Sequence, residues 1–237
     1  MGDLYSRLGL IDTHRKVFRN IVSIRESQNL FDDLTTEPTE WALAQRVEDE
    51  VRPAAYRSHT PIIHRPFEDA EWLNAIGWPF ENKQASRFSD GAFGVWRGSD
   101  AIETSVYETV YHWYRHFLTD AGFEKEPVIG ERKVYDVMCD AALVDLRPHI
   151  SEYPEFIHRT DYSSTQSIGA KFHREGHPGL ITKSVRYPTG DSYVMLNHSV
   201  LSQPKTHCYL TYRMVGKKIQ IEKAPSVAWL EISKDAL

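Results

Sequence analysis

The sequence is short of cysteine, long apolar runs and positive charge, and each shortage removes a class of function. Its two cysteines, Cys139 and Cys208, stand far apart without a CxxC partner. They read as free thiols of a reducing cytosol, with a single disulfide between them as the alternative. No apolar run approaches a membrane span, and the N-terminus lacks a charged leader followed by an apolar block. The chain is therefore expected in the cytoplasm, away from membranes. A formal net charge of −5 lacks the basic excess needed to neutralise phosphates, which argues against a nucleic-acid binder. A glycine-rich dinucleotide fingerprint is missing too, which excludes hydride transfer on a Rossmann fold. Eleven histidines do not assemble into a metal motif. His59 and His64 fall in a loop, and His112 and His116 are four apart without the glutamate of a zinc-protease helix, so no metal is expected.

What is present is a chain of 237 residues, enough for one sizeable core or a core with a helical extension. Residues 1–52 read as an amphipathic helical extension, with Leu30, Phe31, Leu34, Trp41, Leu43, Ala44 and Val47 near helical spacing. Thr36-Glu37-Pro38 breaks it, Pro38 suiting the first turn of a following helix. Residues 53–86 read as loops with short elements, and Phe93-Gly94-Val95-Trp96 as a short strand. The clearest helix follows. Asp100 and Glu103 form a candidate capping box, Gly122 lies past the end, and Ile102, Val106, Val110, Trp113 and Phe117 make one apolar stripe. Glu108 lies nearly opposite that stripe, beside Thr104, Tyr111 and Arg115, and so faces solvent or a cleft.

Further on, residues 134–138 and 142–146 read as two strands, and 163–175 as a helix ended by Gly176. Four short strands follow at 179–181, 192–196, 208–214 and 218–222, with a hairpin turn at Gly216-Lys217. Strands cluster after helices instead of alternating with them, which predicts an α+β fold.

Three blocks resemble the RES-domain family, toxins of bacterial toxin–antitoxin pairs whose antitoxins are Xre-like DNA-binding proteins. The first runs from Arg87-Phe88-Ser89-Asp90-Gly91 to Glu108-Thr109-Val110-Tyr111-His112, twenty-one residues from arginine to glutamate. The second is Asp161-Tyr162-Ser163-Ser164-Thr165-Gln166-Ser167-Ile168-Gly169. The third is Gly179-Leu180-Ile181-Thr182-Lys183-Ser184-Val185-Arg186, with Gly190 after it. Ala55-Tyr56-Arg57 resembles an earlier arginine of the family. The resemblance spans residues 53–222 and assigns 53–237 to one domain.

The resemblance implies an ADP-ribosyltransferase-like split-sheet core that consumes NAD⁺, without a metal. ADP-ribose passes to water, phosphate or a host protein, and the partner is an Xre-like antitoxin. Glu108 and Arg87 take the catalytic roles, the glutamate stabilising the ribosyl cation. Arg57 and Arg87 fork the diphosphate, and Phe88, Trp96, Ser163 and Ser184 complete the dinucleotide contacts. The family's usual tyrosine, eleven residues before the glutamate, is Arg97 here, and Trp96 beside it is the candidate stacking surface.

Each residue also has a plainer role. Glu108 suits a solvated helix position paired with His112, and Arg87 suits bonding to loop carbonyls. Ser163 suits an N-cap, Ser184 a turn and Trp96 the core. Tyr107, Tyr111 and Tyr114 suit a second packing face.

Overall fold

The computed structural model describes residues 2–23, 70–120, 122–123 and 128–237. The helical spacing read from Leu30 to Val47, the break at Pro38 and Arg57 lie outside these residues. Nearer the N-terminus the structure corrects the helical reading. After helix α1 (Gly2–Arg7), residues Gly9–Val22 form a long strand, β1. Its side chains alternate: Thr13 and Val17 are buried, while Asp12, His14 and Lys16 are exposed. That two-residue period belongs to a half-covered strand, not to a helix.

A π-helical turn (Leu73–Gly77) runs into the short helix α2 (Trp78–Glu81). Strand β2 is Trp96–Ser99, so residues 93–95 precede it instead of forming it. Helix α3 (Ile102–His112) continues as a seven-residue π-helix, Trp113–Thr119. The two strands expected after it are one, β3 (Ile129–Asp145), because β1 pairs with it without interruption from Gly9↔Asp145 to Val22↔Arg132. Helix α4 (Ser163–Arg174) and strands β4 (Gly179–Lys183), β5 (Asp191–Met195), β6 (Leu201–Val215) and β7 (Lys218–Ala224) follow. A further strand, β8 (Val227–Ser233), closes the order.

The fold is α+β, and its sheet divides at β3. Along one edge β3 pairs with β1; along the other its first part pairs antiparallel with β6, and Val144 and Asp145 pair parallel with β4. One branch continues β6-β7-β8, the other β4-β5-β2, and Phe18↔Ser99 brings β2 back to β1. Three apolar clusters result. Trp96, Val17, Val137, Leu143 and Met195 pack among β1–β5, and Phe88, Ile168 and Phe172 hold α4 against Leu180 and Val194. Val106 and Val110 lay α3 on Leu210, Tyr212 and Ile219, and a fully buried valine contributes about 1.5–3 kcal/mol.

Candidate functional site

Glu108 leaves α3 on the side away from Val106 and Val110, as its place on the helical wheel requires, and meets the loop after β4. Its Oε1 accepts from the Ser184 hydroxyl at 2.6 Å, Val185 N–H at 3.1 Å and Arg186 N–H at 3.4 Å. Among the described residues none bonds Oε2, which leaves that oxygen for a ligand. Ser184 is buried and fully used: it donates to Glu108 and accepts from Arg186 N–H (3.3 Å) and Tyr187 N–H (3.0 Å). It both closes the turn and fixes the carboxylate. Gly190 lets this loop lie on the helix, since a Cβ there would fall 2.2 Å from Thr104 Oγ1. Tyr187 then stacks on Tyr107, centroids 4.7 Å apart. The expected capping box is absent: Ala101 is the N-cap residue, without a side-chain bond, and Asp100 Oδ1 accepts from Thr104 Oγ1 at 2.7 Å.

Arg87 sits in a tight turn in which Ser86 and Ser89 exchange backbone hydrogen bonds of 2.7 and 3.4 Å. Gln166 Nε2 of α4 donates to Ser86 O at 2.9 Å. Gly169 permits the contact, because a Cβ there would stand 1.9 Å from Phe88 O. Arg87 is 8% exposed, donates from Nη1 to His158 O at 2.7 Å and lies 4.3 Å over the Tyr162 ring. Burial pulls its pKa below the usual arginine range. Tyr162 and Glu108 oppose that shift, while Arg97 and Arg186 add to it.

Arg97 alternates with Trp96 along β2 and is exposed. Its Nη2 lies 3.3 Å from His112 Nε2, and its carbonyl accepts from Arg19 at 3.2 Å. Burial, together with the charges of Arg97, His116, Arg186 and Arg87, lowers His112 to about 3. The ring is neutral, and since arginine can only donate, Nε2 is the acceptor and the proton sits on Nδ1. Arg186 covers the Tyr111 ring at 3.3 Å and donates to Arg159 O at 2.8 Å. The site thus combines one carboxylate, held on one oxygen, with three guanidiniums and a neutral imidazole.

Two expected dinucleotide contacts are corrected. Trp96 is 0% exposed, its Nε1 donating to Ala75 O at 2.7 Å, and Phe88 is 1% exposed in the cluster with Ile168. Neither ring can reach a ligand. Register forces this: Trp96↔Met195 points the indole inward and leaves Arg97 facing the cleft. Ser163 is exposed and is the first helical residue, not the N-cap; its N–H donates to Asp161 Oδ1 at 2.9 Å, and it lies next to Tyr162 beneath Arg87. Sequence reasoning assigned no ligand role to His112 or Arg186. The signal was there for both, since His112 follows Glu108 by one helical turn and Arg186 closes the third block. Cys139 and Cys208 are both free.

An α+β fold split at β3, with a carboxylate and guanidiniums converging where α3 meets the β2 and β4 ends, defines the class of protein. The RES-domain family model matches residues 54–214, more than half of the chain, and the chain belongs to that family. No curated protein matches it. Among solved structures, the Mycobacterium tuberculosis MbcT–MbcA toxin–antitoxin complex aligns at 12% identity over 87% of this chain and 90% of that chain, with a TM-score of 0.46.

Proposed function

We propose that this chain is the toxin of a toxin–antitoxin pair and consumes NAD⁺, passing ADP-ribose to water, phosphate or a host protein. The observation that carries the reading is the Glu108 carboxylate, anchored through Oε1 by Ser184, Val185 and Arg186. The bond from ribose C1′ to the nicotinamide nitrogen breaks, and its electron pair leaves with nicotinamide. Positive charge spreads over C1′ and the ring oxygen, where a fixed carboxylate stabilises it without having to reorganise. An acceptor O–H then attacks C1′ and gives up its proton.

Arg87 and Arg97 are suited to the diphosphate, and Ser184 positions Glu108 instead of touching substrate. The partner of such a toxin is an Xre-like antitoxin in the cytoplasm. No helix of the described residues is long and apolar enough to cross a membrane.

The test is nicotinamide release from NAD⁺ by the purified chain, with and without phosphate and bacterial lysate, beside Glu108→Gln. Release by the parent chain and a loss of at least about 100-fold in a folded Glu108→Gln is the expected result. Label on a single protein band, with release only in lysate, identifies a dedicated mono-ADP-ribosyltransferase. Equal release by both chains removes Glu108 from the chemistry. Silence in every condition leaves a binding module on a degenerate toxin fold, with Arg97 in the tyrosine position as its cause.

A further inference from the structure

The Arg97 side chain has a single hydrogen-bond partner among the described residues, the His112 ring, with Nη2 3.3 Å from Nε2. None of the carboxylates of those residues forms an ion pair with it. Its backbone is fixed separately: Arg97 pairs with Val194 in the sheet, and its carbonyl accepts from Arg19 Nη1 at 3.2 Å. The side chain itself is exposed, so without His112 several rotamers would be open to it.

His112 is held where it can do this. It stands one helical turn after Glu108 on α3. Its ring stacks on His116 (centroids 5.4 Å apart, planes at 27°) and meets the Tyr111 ring edge-on (5.5 Å, 79°). These contacts set the plane of the imidazole and with it the direction of the Nε2 lone pair. Burial first, then Arg97, His116, Arg186 and Arg87, keep the ring unprotonated. A neutral acceptor orients a guanidinium without cancelling its charge, which a carboxylate in the same place would do.

We propose that His112 is a positioning residue: its Nε2 fixes the Arg97 guanidinium and leaves that positive charge whole for the substrate. The effect on NAD⁺ rests on the proposed function, whereas the pairing of the two side chains does not. Ordering a long side chain before the substrate arrives removes part of the entropy that binding would otherwise cost. His112 thus acts through Arg97 and on binding, touching no reacting atom, and the chemistry stays with Glu108. Loss of His112 should raise KM more than it lowers kcat.

The experiment has two arms, both on the full chain. In the first, ¹⁵N NMR at pH 7 reads the His112 tautomer and the rotation of the Arg97 guanidinium about Cζ–Nε. A neutral ring protonated on Nδ1 is expected, with Arg97 turning more slowly than the exposed Arg174. Rotation should become fast in His112→Phe and slow again in His112→Gln, whose amide oxygen can accept. A protonated ring, an Nε2–H tautomer, or Arg97 turning as freely as Arg174 overturns the proposal. In the second arm, His112→Phe should raise the KM for NAD⁺ about fivefold or more with kcat within about twofold, and His112→Gln should recover most of the loss. In an Arg97→Gln background, His112→Phe should change KM by less than about twofold. A loss confined to kcat, or equal effects in the two backgrounds, overturns the role. Absence of turnover in the parent chain sinks the NAD⁺ reading, and the NMR arm still decides the pairing. Tautomer and rotation are measured on the parent chain, so misfolding of a variant leaves that result decisive.

Discussion

Arg147 and Arg186 both follow a strand of the same sheet branch, yet they are treated in opposite ways. Arg147 forks Asp145 (Nε to Oδ1 2.8 Å, Nη2 to Oδ2 2.7 Å) and gives Nη1 to Asp191 at 2.6 Å. Lys183 adds a second cation to Asp191 at 2.6 Å. Every charge there has a partner. Around Arg186 the count is reversed: Arg87, Arg97 and Arg186 gather about one carboxylate, Glu108, whose three donors all bind one oxygen. The closed network ties β3 to β5, whereas the open one leaves donors that nothing in the described residues completes. Charge that serves folding is neutralised on the spot; charge left open is available to a ligand.

The largest expected effect tests the closed side. Arg147→Gln strands the Asp145 carboxylate, whose side chain is 17% exposed, and leaves Asp191 with Lys183 alone. Breaking such a pair should cost about 3 kcal/mol, at the low end for a buried network because some solvent reaches it. For a chain of this size that lowers the thermal midpoint by roughly 6–12 °C, measurable by calorimetry. NAD⁺ turnover by the folded fraction should not change. A midpoint within 2 °C of the parent would erase the contrast.

On the open side, Ser184→Ala removes the 2.6 Å donor to Glu108 and the acceptor for two backbone N–H groups. Turnover should fall about tenfold, mainly in kcat, because one hydrogen bond to a charged group is lost and the carboxylate is less well aimed. A change confined to KM would instead put Ser184 in contact with substrate.

How much of this was legible in the sequence depends on periodicity. The wheel drawn for α3 correctly separates Glu108 from Val106 and Val110, and then fails at Phe117, which is 55% exposed while Leu118 is fully buried. The cause is the π-helix from Trp113: with more residues per turn than 3.6, the stripe drifts out of phase. β1 was misread because helical spacing further along the chain was extended back over an alternating segment. β8 was missed although Pro225-Ser226 before it is a turn signal; Ser226 takes φ 61°, a conformation more often given to glycine. Gly169 and Gly190 stood in the resembling blocks, but their purpose, close approach to Phe88 and Thr104, needs three dimensions. The same holds for Trp96 and Arg97, whose exchange of roles is set by pairing to β5. Unpaired guanidiniums are invisible in a chain of net negative charge, because the carboxylates that balance the total lie elsewhere.

The smallest effect at neutral pH is the one that separates the two networks along a pH axis. At Asp145 burial pushes the carboxyl up, but the fork from Arg147 outweighs it and holds the pKa below the usual range. A depressed carboxylate contributes stability above its unfolded pKa, near 4, and loses it as pH falls through the folded value. His112 acts earlier. Its folded pKa of about 3 lies below the unfolded 6.5, so between those values the unfolded chain takes up a proton that the native chain refuses. Stability should therefore fall with decreasing pH from about 6.5, with a limiting slope of about 1.4 kcal/mol per pH unit for this one proton. Replacing Arg97 with glutamine removes the largest charge acting on the ring but not its burial. Stability at pH 7 should then stay within about 1 kcal/mol of the parent, since Arg97 is exposed, while the His112 pKa rises and the acid slope ends at a higher pH. His112→Gln should abolish the slope between pH 6.5 and 5 and leave the loss below pH 4 in place. Denaturant unfolding at stepped pH measures both. An unchanged slope in His112→Gln would mean that the imidazole is protonated in the native cleft. In that case another anion, and not the burial of a neutral ring, would balance Arg97.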